Sequence, residues 1–220
     1  MPPKFVVFDT ETTGIPLYRD KATGQPVPAD DPRQPRIASF AYIVADEAGD
    51  IISDGKAFVR PDGWRMADFD AMAFAAGKTP ASEINGLTDD FLQSVGVPIG
   101  DVLALWNGFL DQGLIAVAFN AQFDCKMMRA ELRRAGMPDR FEDTPNICVM
   151  RGLDPYYHDG LMIRNGFVKL SVACEYFGIT NDNPHDAGAD TEAARAILAR
   201  LIVDDRLPEA RVHLAKGRAA

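Results

Sequence analysis

Residues 5–14 read FVVFDTETTG. Four apolar residues in a row, 5–8, have the pattern of a buried strand. They run straight into two carboxylates, Asp9 and Glu11. Alternate side chains of a strand share a face, so these acids point the same way as the chain leaves the sheet. The carboxyl end of a strand is also where open α/β sheets place their ligands. Taking charge out of water is costly unless something pairs with it. The segment alone leaves two readings: the acids end the strand in solvent, or they hold a cation.

Beyond Gly14, residues 16–35 (PLYRDKATGQPVPADDPRQP) are rich in Pro, Asp and Gly and carry no periodicity, as expected of a long surface loop. Residues 36–45 and 51–59 read as two strands joined by the turn DEAGD. Residues 61–77 mix Trp64 with Met and Phe and read as loop and short helix. TPASEINGLTDDFLQS reads as a short helix, a turn at Asn85-Gly86, and a second helix from Thr88. Helical periodicity over 101–110 leads to a second all-apolar strand, 114–119. An amphipathic helix over 123–135 follows and ends at Gly136. Two more helices, over 169–177 and 186–203, precede a polar tail from 207 that is basic at its end and expected to fray. Three strands, then helix, strand and helices, imply an α/β domain with a mixed sheet. No repeat, low-complexity block or linker interrupts it. Residues 1–205 are expected to form one domain, with 16–35 an inserted loop and 206–220 a C-terminal tail.

Two further acids stand where helices begin. In VAFNAQFDCKMM, Asn120 closes the second apolar strand and Asp124 falls in the first turn of the next helix. Helix capping and the helix dipole account for both residues by themselves. A neighbouring position for the two apolar strands would instead bring Asp124 to the same end of the sheet as Asp9 and Glu11. In NPHDAGADTEAARAIL, Asp186 is placed to cap the last helix. Asp190 shares a face with Ala194, Ile197 and Leu201, spaced for burial. An acid on a buried face wants a partner. His185, one of 3 His in the chain, lies five residues before Asp190.

Four carboxylates at one place cannot all stay ionised without counter-charge. Mg²⁺ and Mn²⁺ are hard cations that take carboxylate oxygens and supply it. Two such ions about 4 Å apart suit an in-line displacement at phosphorus. A neutral His is suited to take the attacking water's proton. The parts read as metal-dependent phosphodiester hydrolysis. A formal net charge of −9 argues against a protein that mainly coats nucleic acid, since that work rests on clustered Lys and Arg. It does not argue against an enzyme that meets nucleic acid through metal ions. The 220 residues are 47% hydrophobic and 25% charged, the composition of a soluble globular protein. No apolar run approaches the roughly 18 residues that span a bilayer. MPPKFVVFDT lacks the pattern of a signal peptide. Three widely spaced Cys with no CxxC pair read as reduced and buried, so a cytoplasmic location is expected.

FDTETTG, VAFNAQFD and HDAGAD resemble, in order and at similar separations, the three motifs of the DEDDh (DnaQ-like) 3′–5′ exonucleases. EINGLT, DTPNICVMRGLDP and KLSVACEYFGI resemble that family's connecting segments. The similarity runs from about residue 5 to about residue 201. The resemblance implies a ribonuclease H-like fold, with a mixed central sheet flanked by helices. It also implies two metal ions and release of nucleoside 5′-monophosphates from a 3′ end. Carried over by position, Asp9, Glu11, Asp124 and Asp190 are the metal-binding acids and His185 is the general base. A sister group has a Tyr four residues before the last Asp; here that place is Asp186.

The resemblance also implies contacts to the substrate. Thr10 and Thr12 lie beside the acids, Ile15 stands where relatives pack an apolar residue on the 3′ base, and Asn120 is placed to position the scissile strand. For Phe123, base stacking and core packing both stand. The expected substrate is the 3′ end of single-stranded or frayed DNA, in proofreading, repair or end trimming, with a DNA polymerase or repair complex as partner. RNA trimming or oligoribonuclease activity at the same site is the alternative. A non-catalytic nucleic-acid-binding module is a third reading, but a decayed copy is expected to lack one of the five residues. The 16–35 loop is longer than in compact relatives and leaves from the first motif. It either shapes access to the site or is a passive insertion.

Overall fold

In the structure, a computed structural model that describes residues 1–20, 22–141, 144–161 and 167–212, the apolar run opens strand β1 (Phe5–Thr12). Val6 and Phe8 enter one core with Phe40, Trp106 and Met128. Phe5 and Val7 enter a second core with Ile43, Val117 and Ile197. A strand is apolar at every position only when both its faces are covered, and this one lies at the centre of the sheet. Strand β2 (Ile37–Ala45) runs antiparallel to β1, and β3 (Ile51–Phe58) antiparallel to β2. The Asp46 carboxylate ties the turn between them by accepting from the backbone N–H of Ala48 and Asp50.

Four helices follow: α1 (Met66–Ala75), α2 (Ala81–Asn85), α3 (Asp89–Val95) and α4 (Ile99–Asp111). Thr88 caps α3 through its hydroxyl, and Gly86 takes the left-handed turn after α2, as the sequence requires there. Strand β4 (Ile115–Ala118) lies parallel to β1, with Val117 beside Val7. Helix α5 (Ala121–Arg134), strand β5 (Pro145–Cys148) and helix α6 (Val149–Gly152) come next. Helices α7 (Leu170–Phe177) and α8 (Ala187–Val203) precede strand β6 (Arg211–Val212). Among the described residues the sheet order is β3-β2-β1-β4-β5-β6. Residues of α4 and α5 pack into the first core, those of α7 and α8 into the second. The expected mixed sheet flanked by helices is the observed one.

Two parts differ from expectation. The sequence predicts the β5 stretch only as a connecting segment: it has 4 residues and begins at Pro145, too short to show a period of two. Arg211 and Val212, expected within a fraying tail, instead pair with Asn146 and Pro145 as an edge strand. The Asn146 amide reinforces this by donating to the Arg211 carbonyl at 2.7 Å. The basic end of the tail, residues 213–220, lies outside the described residues.

The inserted loop is irregular, as expected, but it is built rather than loose. Gln34 is 1% exposed. Its amide donates to the carbonyls of Leu17 and Pro28, and its oxygen accepts from the Leu17 N–H. Arg134 of α5 donates to the carbonyls of Asp31, Gln34 and Pro35. Buried Glu131 accepts from Arg36, Arg134 and the Ile37 N–H. The loop is thereby fastened along α5.

Candidate active site

The alternation of β1 continues past its apolar part and decides where each side chain goes. Asp9 and Glu11 extend the face of Phe5 and Val7, toward the layer that contains α8. Thr10 extends the face of Val6 and Phe8, toward the layer that contains α5. The β1–β2 register shifts between Glu11 and Thr12, a bulge of the kind that re-aims side chains beside active sites. Helix α8 brings Asp190 to the first pair. One carboxylate oxygen from each of Asp9, Glu11 and Asp190 lies within 4.8 Å of the other two.

Asp124 arrives from the opposite layer. It is 3% exposed, and one of its oxygens accepts from both the N–H and the hydroxyl of Thr10, at 3.1 and 2.8 Å. Capping does not explain it: α5 has no side-chain cap. Capping does explain Asp186, which accepts from the N–H groups of Gly188 and Ala189 and pairs with Lys56.

Burial and mutual repulsion push all four acids toward protonation. Asp9 is raised well above the ordinary carboxylate range by lost hydration, then by Asp124, Glu11 and Asp190. Glu11 is raised to about 8, chiefly by lost hydration and by Asp190. Lost hydration raises Asp124 against the pull of its Thr10 hydrogen bonds, and raises Asp190 against those of Asn181 and the His185 N–H. Among the described residues Asp124, Asp190 and Glu11 have amide or hydroxyl donors, and no Lys or Arg ion pair is seen at any of the four acids. Oxygen-only donors that cannot all be charged without a cation fit a hard divalent ion.

The other expected site residues fall around this cluster. His185, Asn120 and Asp190 line one cavity of about 690 Å³. His185 is exposed and has a left-handed backbone, φ 65°, with its N–H donating to Asp190 at 3.2 Å. Ile15 is 66% exposed. The hydroxyl and N–H of Thr10 are both committed to Asp124, the Thr12 hydroxyl donates to the Gly14 carbonyl, and the Thr12 carbonyl accepts from Asn85. Phe123 is partly buried against the first core, which favours the packing reading.

Three supporting residues were not foreseen. Asn181 donates to the second oxygen of Asp190 at 2.7 Å. Asn85 lies against Glu11 and the Thr12 carbonyl, and Lys56 holds Asp186. All three occupy stretches that read as turn or exposed strand, where sequence periodicity carries no such signal.

A mixed six-stranded sheet with carboxylates gathered at its central strand defines an α/β domain whose site can hold divalent cations. The sequence pattern of the RNase_T family, described as exonuclease, matches residues 6–198, and the chain belongs to that family. It is 26% identical over 202 residues to the PolC-type DNA polymerase III of Streptococcus suis, and 28% identical over 196 residues to that of Lactococcus lactis. These matches cover 91% and 88% of this chain but 11% and 10% of the polymerases, so the chain spans about a tenth of their length. Its fold is similar to E. coli exonuclease I in complex with a dA16 oligonucleotide, with TM-score 0.68, 19% identity, and 90% and 40% of the two chains covered. It is also similar to the nuclease domain of 3′hExo, a DEDDh family member bound to rAMP, with TM-score 0.67, 15% identity, and 95% and 96% covered.

Proposed function

We propose that the chain is a metal-dependent 3′–5′ exonuclease that removes nucleoside 5′-monophosphates from single-stranded or frayed DNA. One observation carries this reading: oxygens of Asp9, Glu11 and Asp190 converge within 4.8 Å. Exposed His185 adjoins the cluster through its hydrogen bond to Asp190. Asp9, Glu11, Asp124 and Asp190 would hold two Mg²⁺ or Mn²⁺ ions. When bound, such ions acidify a water and neutralise the charge on the phosphate.

The protein's own groups do the rest. Asn181 and the His185 N–H hold the two oxygens of Asp190, so this carboxylate enters the reaction already oriented. The His185 imidazole takes the attacking water's proton. Asn120, which lines the same cavity, positions the scissile strand, and exposed Ile15 meets the terminal base. Backbone groups of Thr10 and Thr12 border the terminal nucleotide. The catalytic domain spans residues 1–205, with 16–35 as its insertion, and the edge strand at 211–212 extends its sheet. The polymerase relatives favour DNA as the polymer and a polymerase or repair complex as the partner. Three free cysteines fit a reducing cytoplasm.

The test uses 5′-labelled single-stranded DNA and RNA of one sequence, with Mg²⁺, Mn²⁺ or EDTA and an Asp190→Ala control. Metal-dependent shortening from the 3′ end, faster on DNA and absent in the control, is expected. Faster cleavage of RNA would replace the substrate, and no cleavage of either polymer would overturn the enzyme reading.

A further inference from the structure

We infer that the cleft between the 16–35 insertion and α5 binds the single-stranded polynucleotide on the 5′ side of the nucleotide being removed. The inference rests on the exonuclease reading and adds a strand site outside the acid cluster. The cleft has a volume of about 750 Å³. Arg19, Lys126, Arg129, Arg133 and Arg151 line it, and among the described residues no Asp or Glu does. In a chain of net charge −9, an ordinary solvated surface would mix signs or lean acidic. Arg129 and Arg133 are paired with Asp139 at 2.9 and 2.8 Å, so the positive charge this concave wall offers a polyanion comes chiefly from Arg19, Lys126 and Arg151.

The wall also carries a ring. Tyr18 is 44% exposed, and the Lys126 ammonium lies 4.1 Å from its ring centre. An aromatic face among cations is the combination that holds single strands without reading their sequence. The cavity that holds His185 is different: Lys169 is joined there by Glu175 and Asp190, so its charge is mixed. That cavity suits the reacting end, and the basic cleft suits the phosphates behind it.

Position links the two. Cys148 lines the cleft at the carboxyl end of β5. Asp9 and Glu11 lie toward the carboxyl end of β1, and Asn120 follows β4 at the same edge. Helix α5 presents Asp124 to Thr10 and its neighbours Gln122, Cys125 and Lys126 to the cleft. A strand laid along this edge from the acids therefore passes into the cleft. The far wall is held in place: Lys126 donates to the Leu17 carbonyl at 2.6 Å, and Gln34 clamps the loop's two ends.

The test is the double variant R19A/R151A. Both residues are exposed; Arg19 donates to the Gly24 carbonyl within its own loop, and Arg151 lies on the short helix α6. Cleavage of an about 20-nucleotide DNA strand is compared with that of a dinucleotide, which does not reach the cleft. KM for the long strand is expected to rise about tenfold with kcat within about twofold. Its salt dependence should become shallower by about 1.4, at ~0.7 for each phosphate that the variant no longer neutralises. The dinucleotide should be cut as before. An unchanged KM for the long strand, or equal losses on both substrates, would overturn the inference. Binding of the dye-labelled long strand in EDTA separates this result from failure of the exonuclease reading. If the wild type cuts nothing but the variant still binds about tenfold more weakly, the cleft stands and the enzyme reading falls.

Discussion

His185 holds a backbone conformation that side chains bearing a β-carbon seldom adopt, φ 65°. Strain of this kind persists where surrounding bonds over-determine it, and it gathers at active sites. Here Asp190 takes the His185 N–H, while Asp186 caps α8 one residue later and is gripped by Lys56. The turn displays the imidazole and orients Asp190 at once. His185→Asn separates these duties, because Asn tolerates the left-handed region. Turnover is expected to fall by roughly 10²- to 10⁴-fold, with the heat of Mn²⁺ binding preserved in calorimetry. Loss of that heat would make the imidazole a metal ligand instead of a base.

The insertion and α5 act together at the scale of elements. Glu131 is 1% exposed and serves Arg36, Arg134 and the N–H that begins β2. Neutralising it leaves two guanidiniums without their shared partner. Breaking one side of a buried ion pair costs about 3–5 kcal/mol. Glu131→Gln is therefore expected to lower stability by about 3 kcal/mol in urea denaturation, and to make the 16–35 loop the first site of proteolysis. A loss below about 1 kcal/mol would show that this pair does not fasten the loop.

Across the whole molecule the acid cluster sets how stability depends on pH. Glu11 is raised from 4.5 to about 8, and Asp9 and Asp190 are raised too. Between those limits the native state binds more protons than the unfolded state, so stability falls as pH rises. Asp20 and Asp31 are shifted the other way, to about 2, chiefly by hydrogen bonds from Arg33, and their contribution grows up to the unfolded value of 3.8 and is essentially complete by about pH 5. In EDTA, the urea midpoint should therefore drop steadily from pH 5 to pH 8. Saturating Mn²⁺ should flatten that slope and release protons on binding, since ions compete with protons for the same oxygens. A midpoint that rises over this range in EDTA would contradict the assigned cluster.

The sequence by itself determined the buried strand at 5–8, the second at 114–119, the helix start at Thr88 and the cap at Asp186, and it marked the acids and their His as candidates. Each of these is a local pattern: an apolar run, a capping residue, a helical spacing, a short motif. The same local logic failed for β5 and β6, whose 4 and 2 residues are held by neighbours rather than by any period of their own. Only the tertiary structure decided that Asp190 joins Asp9 and Glu11 from one layer while Asp124 reaches Thr10 from the other. It alone gathered Arg19, Lys126 and Arg151, far apart in the chain, along one cleft. The physical reason is that periodicity records which face of an element is buried, whereas the partner of that face is chosen by packing between elements distant in sequence.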